Sequence, residues 1–149
     1  MIYTSDGRFL LGYNPRIQLW SGIGGKREAG EDAWDTAIRE TMEEIYGVVP
    51  YPNRLLSKER SPVIIDQYAF YPLHIDELLA SQPRATPFYL SHVTTPSQLC
   101  SERIPRAEQE IISLRLATPK EILTDLTIAE EYLVDLVEFI FRWPMACLV

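Results

Sequence analysis

The stretch from Gly25 to Gly47, GKREAGEDAWDTAIRETMEEIYG, carries more information than the rest of the chain. Its second part reads as an amphipathic helix over Asp32 to Tyr46. Ala33, Trp34, Ala37, Ile38, Thr41 and Ile45 recur at near-helical spacing and predict a face turned to a core. Residues three and four apart share a helix face, so Glu40, Glu43 and Glu44 project together on the other side. Acids near the start, Gly30 just upstream and Gly47 as a stop agree with helix-terminal chemistry. Three clustered carboxylates repel one another unless a cation neutralises them. Oxygen-only donors on a rigid helix suit Mg2+ or Mn2+ rather than zinc, which prefers nitrogen and sulfur. The plain alternative for a Glu-rich helix is a solvated surface.

The fixed offsets around that helix argue against a plain surface. Gly25, Glu31, Arg39, Glu40, Glu43 and Glu44 follow the pattern Gly-x5-Glu-x7-Arg-Glu-x-x-Glu-Glu, which resembles the signature of the Nudix hydrolases. Two departures stand out. Thr41 occupies a slot that is usually aliphatic, and Ile45 and Tyr46 both precede Gly47 where the family has a single residue. The extra residue leaves the acid register intact and alters the helix exit, where Gly commonly forms a left-handed cap.

The resemblance implies hydrolysis of a nucleoside diphosphate linked to another group, by attack of a metal-activated water on phosphorus. It makes Glu40, Glu43 and Glu44 ligands of Mg2+ or Mn2+, with the Gly24 carbonyl as a further one. Glu31 resembles the acid that supports the site through Arg39, orienting the ligating carboxylates. Such chemistry needs charge neutralisation and a positioned water more than covalent catalysis. The general base is either one of the clustered acids, whose crowding raises a carboxylate's pKa, or an acid from a later loop. Glu110 resembles such an acid and a further metal ligand, since it precedes Ile111 to Leu116, a Thr118-Pro119 turn and a short helix over Lys120 to Leu123; Glu108 is the weaker choice.

Substrate signals lie in Leu19 to Lys26. Trp20-Ser21-Gly22-Ile23-Gly24-Gly25-Lys26 resembles the Trp-Asn-Gly-Phe-Gly-Gly-Lys of the family's oxidised-purine nucleoside triphosphate diphosphatases. Ser21 stands where that Asn reads the base, and a hydroxyl offers fewer donor and acceptor positions than a carboxamide. Trp20 is either a strand-end core aromatic or a base-stacking one. Lys26, a cation beside a Gly-Gly turn, either reaches phosphate oxygens or is a plain solvated lysine. A nucleoside triphosphate is the first expectation. ADP-ribose-like nucleotide sugars, dinucleoside polyphosphates, RNA caps and prenyl diphosphates remain open, as does a Nudix-type module that binds without hydrolysis. Ser61-Pro62 resembles part of an element of ADP-ribose hydrolases, with Val63 in place of its Gly.

A chain of 149 residues, 46% of them hydrophobic, matches one domain over 1–149 with a sizeable core. No apolar run approaches the length of a membrane span, and Asp6, Gly7 and Arg8 interrupt the start before any signal-like core develops. Cys100 and Cys147 lack metal or disulfide spacing, so a reducing, cytoplasmic setting is expected. The net charge of −7 argues against a partner of long DNA or RNA, while small anionic substrates held through a metal remain compatible.

Strands are predicted at Met1 to Tyr3 and Arg8 to Tyr13 around a Ser5-Asp6-Gly7 turn, at Ile17 to Trp20, and at Leu55 to Lys58. Further strands are predicted at Val63 to Leu73, Pro87 to Val93 and Ile111 to Leu116. His74 to Ser81 reads as a helical turn. Ala129 to Trp143 reads as a second amphipathic helix with Tyr132, Leu133, Leu136, Val137 and Ile140 on its apolar face. Thr94 to Arg106 is an irregular connection, and His74 and His92 are expected to be ordinary strand-end residues. Tyr68, Phe70, Phe88 and Tyr89 are core aromatics or a base-stacking platform. Helices on both sides of a mixed sheet follow from this order. The resemblance makes it an α/β/α sandwich with a mixed β-sheet.

Overall fold

A computed structural model of the chain describes residues 1–46, 61–80, 111 and 113–143. The strands predicted at Leu55 to Lys58 and Pro87 to Val93, the loop Thr94 to Arg106, and His92, Phe88, Tyr89, Cys100, Cys147, Glu108 and Glu110 lie outside those residues.

The central sheet is built on β2 (Phe9–Asn14), which is antiparallel to β1 (Ile2–Tyr3), to β3 (Leu19–Ser21) and to β7 (Ser113–Ala117). β6 (Leu73–His74) runs parallel to β1, so the sheet is mixed and the fold is α/β. Successive strand residues point to opposite faces, and β2 uses both. Leu10, with Leu114 and Leu116 of β7, packs on one side against Trp34, Ile38, Met42 and Ile45. Phe9 and Leu11, with Ala117, pack on the other against Leu136 and Phe139. The two cores place one helical layer on each face of the sheet, the expected sandwich. Because both faces of β2 are buried, its apolar run Phe9-Leu10-Leu11 shows little alternation.

The first layer is α1 (Ala33–Thr41), extended by a π-turn over Met42–Tyr46. Asp32 caps it by accepting from Asp35 N, and Asp35 returns the bond to Asp32 N. The predicted helix is therefore present but changes winding after Thr41. Met42 and Thr36 are buried in addition to Trp34, Ile38 and Ile45, while Ala33, Ala37 and Thr41 are only half-buried. Thr36 tolerates burial because its hydroxyl donates to Glu31 Oε2 at 2.8 Å and Asp32 O at 3.0 Å.

The second layer comprises α3 (Pro119–Thr124) and α4 (Glu130–Arg142), following the short α2 (Ile75–Ala80) that leaves β6. Thr118 and Glu121 form a capping box around Pro119, as the Thr-Pro signal suggested. On α4 the structure buries Phe139 and the polar Asp135 together with Leu136, while Tyr132, Leu133, Val137 and Ile140 of the expected face are only half-buried.

Two predicted strands are corrected. Val63 to Leu73 is not one strand but β4 (Val63–Ile65), a two-residue turn, β5 (Tyr68–Phe70) and then β6. Asp66 takes φ +49°, a left-handed conformation that a short polar side chain tolerates, and reverses the chain there. Ile17 is not extended. Residues 15–18 form a turn, with Arg16 N bonded to Asn14 Oδ1 at 2.9 Å and Gln18 at φ +56°, so β3 starts only at Leu19.

Candidate active site

The glycine-rich segment leaving β3 runs directly onto the acidic face of α1 and its π-turn. Arg39 is the hub. Its Nε donates to Glu31 Oε1 at 2.6 Å and its Nη2 to Glu31 Oε2 at 3.2 Å. Nη2 also reaches Lys26 O at 3.0 Å, tying the loop to the helix. Nη1 meets Glu40 Oε1 at 2.9 Å and Glu43 Oε2 at 3.3 Å. This fork geometry is one that only arginine supplies. Glu31 is further fixed by Glu28 N at 3.0 Å and by Thr36. The Arg39 guanidinium, first, and then these donors hold the Glu31 carboxyl down at about 2. The carboxylates in turn raise Arg39 above its ordinary value, Glu31 most of all, and it stays charged.

Glu44 is separate from this hub and nearly buried, 8% exposed. It accepts from Gly24 N at 3.0 Å. At Gly25 the backbone lies so close to the helix that a Cβ would stand 2.3 Å from Glu40 Oε1. The loop thus touches the acid cluster at two successive residues, one through a hydrogen bond and one through a contact that only glycine permits.

Glu31, Arg39, Glu40, Glu43, Glu44 and Gly24 are therefore brought together. Among the described residues, however, no three acidic, histidine or cysteine side chains converge closely enough to hold a metal ion as they stand. The reason is visible in their partners: Arg39 takes Glu40 and Glu43, and Gly24 N takes Glu44. The donor set nonetheless fits a hard divalent ion. It offers oxygen alone, and Glu40 and Glu43 already reach one cationic point, Arg39 Nη1, which stands in for such a charge.

Beside the loop lies a cavity of about 800 Å³. Gly22 to Arg27 form one wall, Ala33, Ala37 and Thr41 of α1 another, and Tyr68 to Tyr71 a third. Ser21 and Lys26 line it, and the Lys26 side chain has no partner among the described residues. Trp20 is placed otherwise. Its ring packs against the second core and Tyr13, at 5.3 Å between centroids, and it does not line the cavity. Phe70 is a core aromatic, stacked on Phe139 at 4.9 Å, that also lines the cavity, as Tyr68 does. His74 bonds Ser5 Oγ at 2.8 Å and accepts from Asp76 N at 3.2 Å, away from the acids. Tyr132, expected only as an apolar-face residue of α4, also lines the cavity, and its hydroxyl accepts from Gly22 N at 3.1 Å. No spacing rule links residues 110 positions apart.

The model of the NUDIX domain matches residues 1–137. The chain belongs to the Nudix family, whose members are hydrolases of pyrophosphate bonds that act on small-molecule diphosphates and generally use divalent metals. No curated protein and no solved structure matches it. No helix among the described residues is long and apolar enough to cross a membrane.

Proposed function

We propose that this protein is a Mg2+- or Mn2+-dependent pyrophosphohydrolase acting on a nucleoside diphosphate derivative, with a nucleoside triphosphate as the favoured substrate. The observation that carries this is the meeting of Glu31, Glu40 and Glu43 on Arg39 beside a glycine loop whose Gly24 N–H holds Glu44. Three carboxylates on one guanidinium, with Glu44 held nearby on Gly24 N, leave a local excess of negative charge that a divalent ion offsets. Glu40, Glu43, Glu44 and the Gly24 carbonyl would hold that ion. When bound, it neutralises phosphate oxygens and lowers the pKa of water.

The chain's own groups divide the remaining work. Arg39 and Glu31 keep Glu40 and Glu43 in place. Lys26 offers an ammonium to a phosphate oxygen. The attacking water forms a new O–P bond as the anhydride P–O bond breaks, and a carboxylate takes the water's proton; Glu43, Glu44 and Glu110 are the candidates for that base. The cavity lies within the size range of small-ligand sites and takes the nucleoside, with Ser21 on its wall.

The test uses chelator-stripped protein on a panel of nucleoside triphosphates, nucleotide sugars, dinucleoside polyphosphates and prenyl diphosphates. Cleavage should return with Mg2+ or Mn2+, and heavy-oxygen water should label a phosphate product. Glu44→Gln keeps the side-chain shape and removes the charge, so turnover should fall by about two orders of magnitude or more with the fold intact. Near-normal turnover in Glu44→Gln removes the metal assignment. Tight metal-independent binding with no cleavage identifies a binding module instead.

A further inference from the structure

Residues 20, 22 and 24 lie along one run entering the glycine loop, and each backbone N–H finds a different acceptor. Trp20 N donates to Thr127 O at 2.9 Å, where Trp20 also forms an isolated parallel bridge with Ile128. Gly22 N donates to Tyr132 Oη at 3.1 Å. Gly24 N donates to Glu44 Oε2 at 3.0 Å. The strand end and the loop that leaves it are thus held in turn by a backbone carbonyl, a phenol and a carboxylate.

We propose that Tyr132 is a positioning residue for the metal-binding loop: its hydroxyl sets where Gly24 sits relative to Glu44. The inference rests on the metal-site reading proposed above. Three further observations support it. The ring is held by Tyr68 at 5.7 Å and Phe70 at 6.3 Å between centroids, so the hydroxyl cannot swing freely. Gly22 approaches so closely that a Cβ there would meet Tyr132 Oη at 2.3 Å, whereas its next neighbours, Tyr132 Cζ and Met1 Cε, are at 3.5 and 3.6 Å. Burial also raises the phenol's pKa, so it stays protonated and neutral.

The experiment measures binding of Mn2+ alone, by electron paramagnetic resonance of the free ion, in wild type, Tyr132→Phe, Gly22→Ala, the double variant and Glu44→Gln, with thermal melting of each. Tyr132→Phe removes one oxygen and keeps the ring contacts; it should weaken Mn2+ binding about three- to tenfold, the range expected for one lost hydrogen bond. Gly22→Ala should weaken it at least as much, by driving the loop off the hydroxyl. In the Phe background the alanine methyl has room, so the double variant should bind no worse than Tyr132→Phe, a non-additivity that mere loss of stability does not produce. Wild-type affinity in Tyr132→Phe alongside lost affinity in Glu44→Gln overturns the role of Tyr132 and leaves the metal site standing. Additive effects of the two substitutions overturn it as well, and if Tyr132→Phe does not fold, unchanged affinity in Gly22→Ala decides the same way. Wild-type affinity in Glu44→Gln removes the metal-site reading itself, and the inference with it.

Discussion

Alanine at Gly25 is a direct probe of how tightly the loop is set against the acids. The added methyl would stand 2.3 Å from Glu40 Oε1, 2.5 Å from Cδ and 2.8 Å from Oε2. Ordinary contact begins at 3.4 Å, so the carboxylate or the loop must give by 3.4 − 2.3, about 1.1 Å. Among the described residues the positive-φ glycines are Gly7, Gly24 and Gly30, so alanine at position 25 brings no left-handed strain and tests space alone. A free glutamate would swing aside at little cost. Glu40 is 13% exposed and bonded to Arg39 Nη1 at 2.9 Å, and a shift of this size is enough to break that bond. Misplacement of a reacting group by roughly 1 Å costs about a hundredfold in rate, so turnover at saturating Mg2+ should fall by about that factor. The assay is diphosphate cleavage across a metal titration, paired with thermal melting. Turnover within about twofold of wild type would refute the claim that Glu40 must stay where the glycine lets it lie.

Other perturbations test the hub and the far helix. Arg39→Lys keeps the charge but cannot hold Glu31, Glu40 and Lys26 O at once; a loss of about 2 kcal/mol in denaturant unfolding is expected, together with much reduced turnover. In the wild type, Glu31 is held at about 2 against an ordinary 4.5, so its stabilisation is complete above pH 4.5 and disappears as pH falls toward 2. Melting of Arg39→Lys across that window should depend less on pH, and an unchanged acid limb would contradict the pairing. Asp135 on α4 is 6% exposed, and burial, then a hydrogen bond with Asp66, raises its pKa. Its folded form holds the proton more tightly, so its contribution is full below the ordinary 3.8 and is lost as pH rises through the raised value. Asp135→Asn, which can donate to Asp66 as the protonated acid does, should melt higher than wild type at neutral pH; a lower melting temperature there would refute this.

Part of the acid cluster was legible: helix periodicity sets Glu40 and Glu43 near one another, and the offsets of Glu31 and Arg39 complete the hub, whereas Glu44, past the change of winding, lies apart on Gly24 N. The two-core sandwich was legible from the alternation of strand-like and helical segments. The remainder depended on information that local patterns do not carry. Ile65, Tyr68, Phe70 and Leu73 fit one long strand or a hairpin equally well, and Asp66 decides between them through its backbone conformation. The extra residue before Gly47 was countable, but that the helix widens into a π-turn at Met42–Tyr46 was not. Tyr132 gave only an apolar-face signal, since its partner Gly22 is distant in sequence.

The clasp of residues 20 to 24 by Thr127, Ile128 and Tyr132 bears on how the molecule comes into being. A ribosome delivers the acids of α1 early, with the capping box and the Arg39 fork to fold them locally. The opposite edge of the loop has nothing to grip until more than a hundred further residues have emerged, and closing so long a span carries a large entropic cost and slows folding. Completion of the site is thereby made a late event of biosynthesis: a nascent chain carries its carboxylates long before it can set a loop against them.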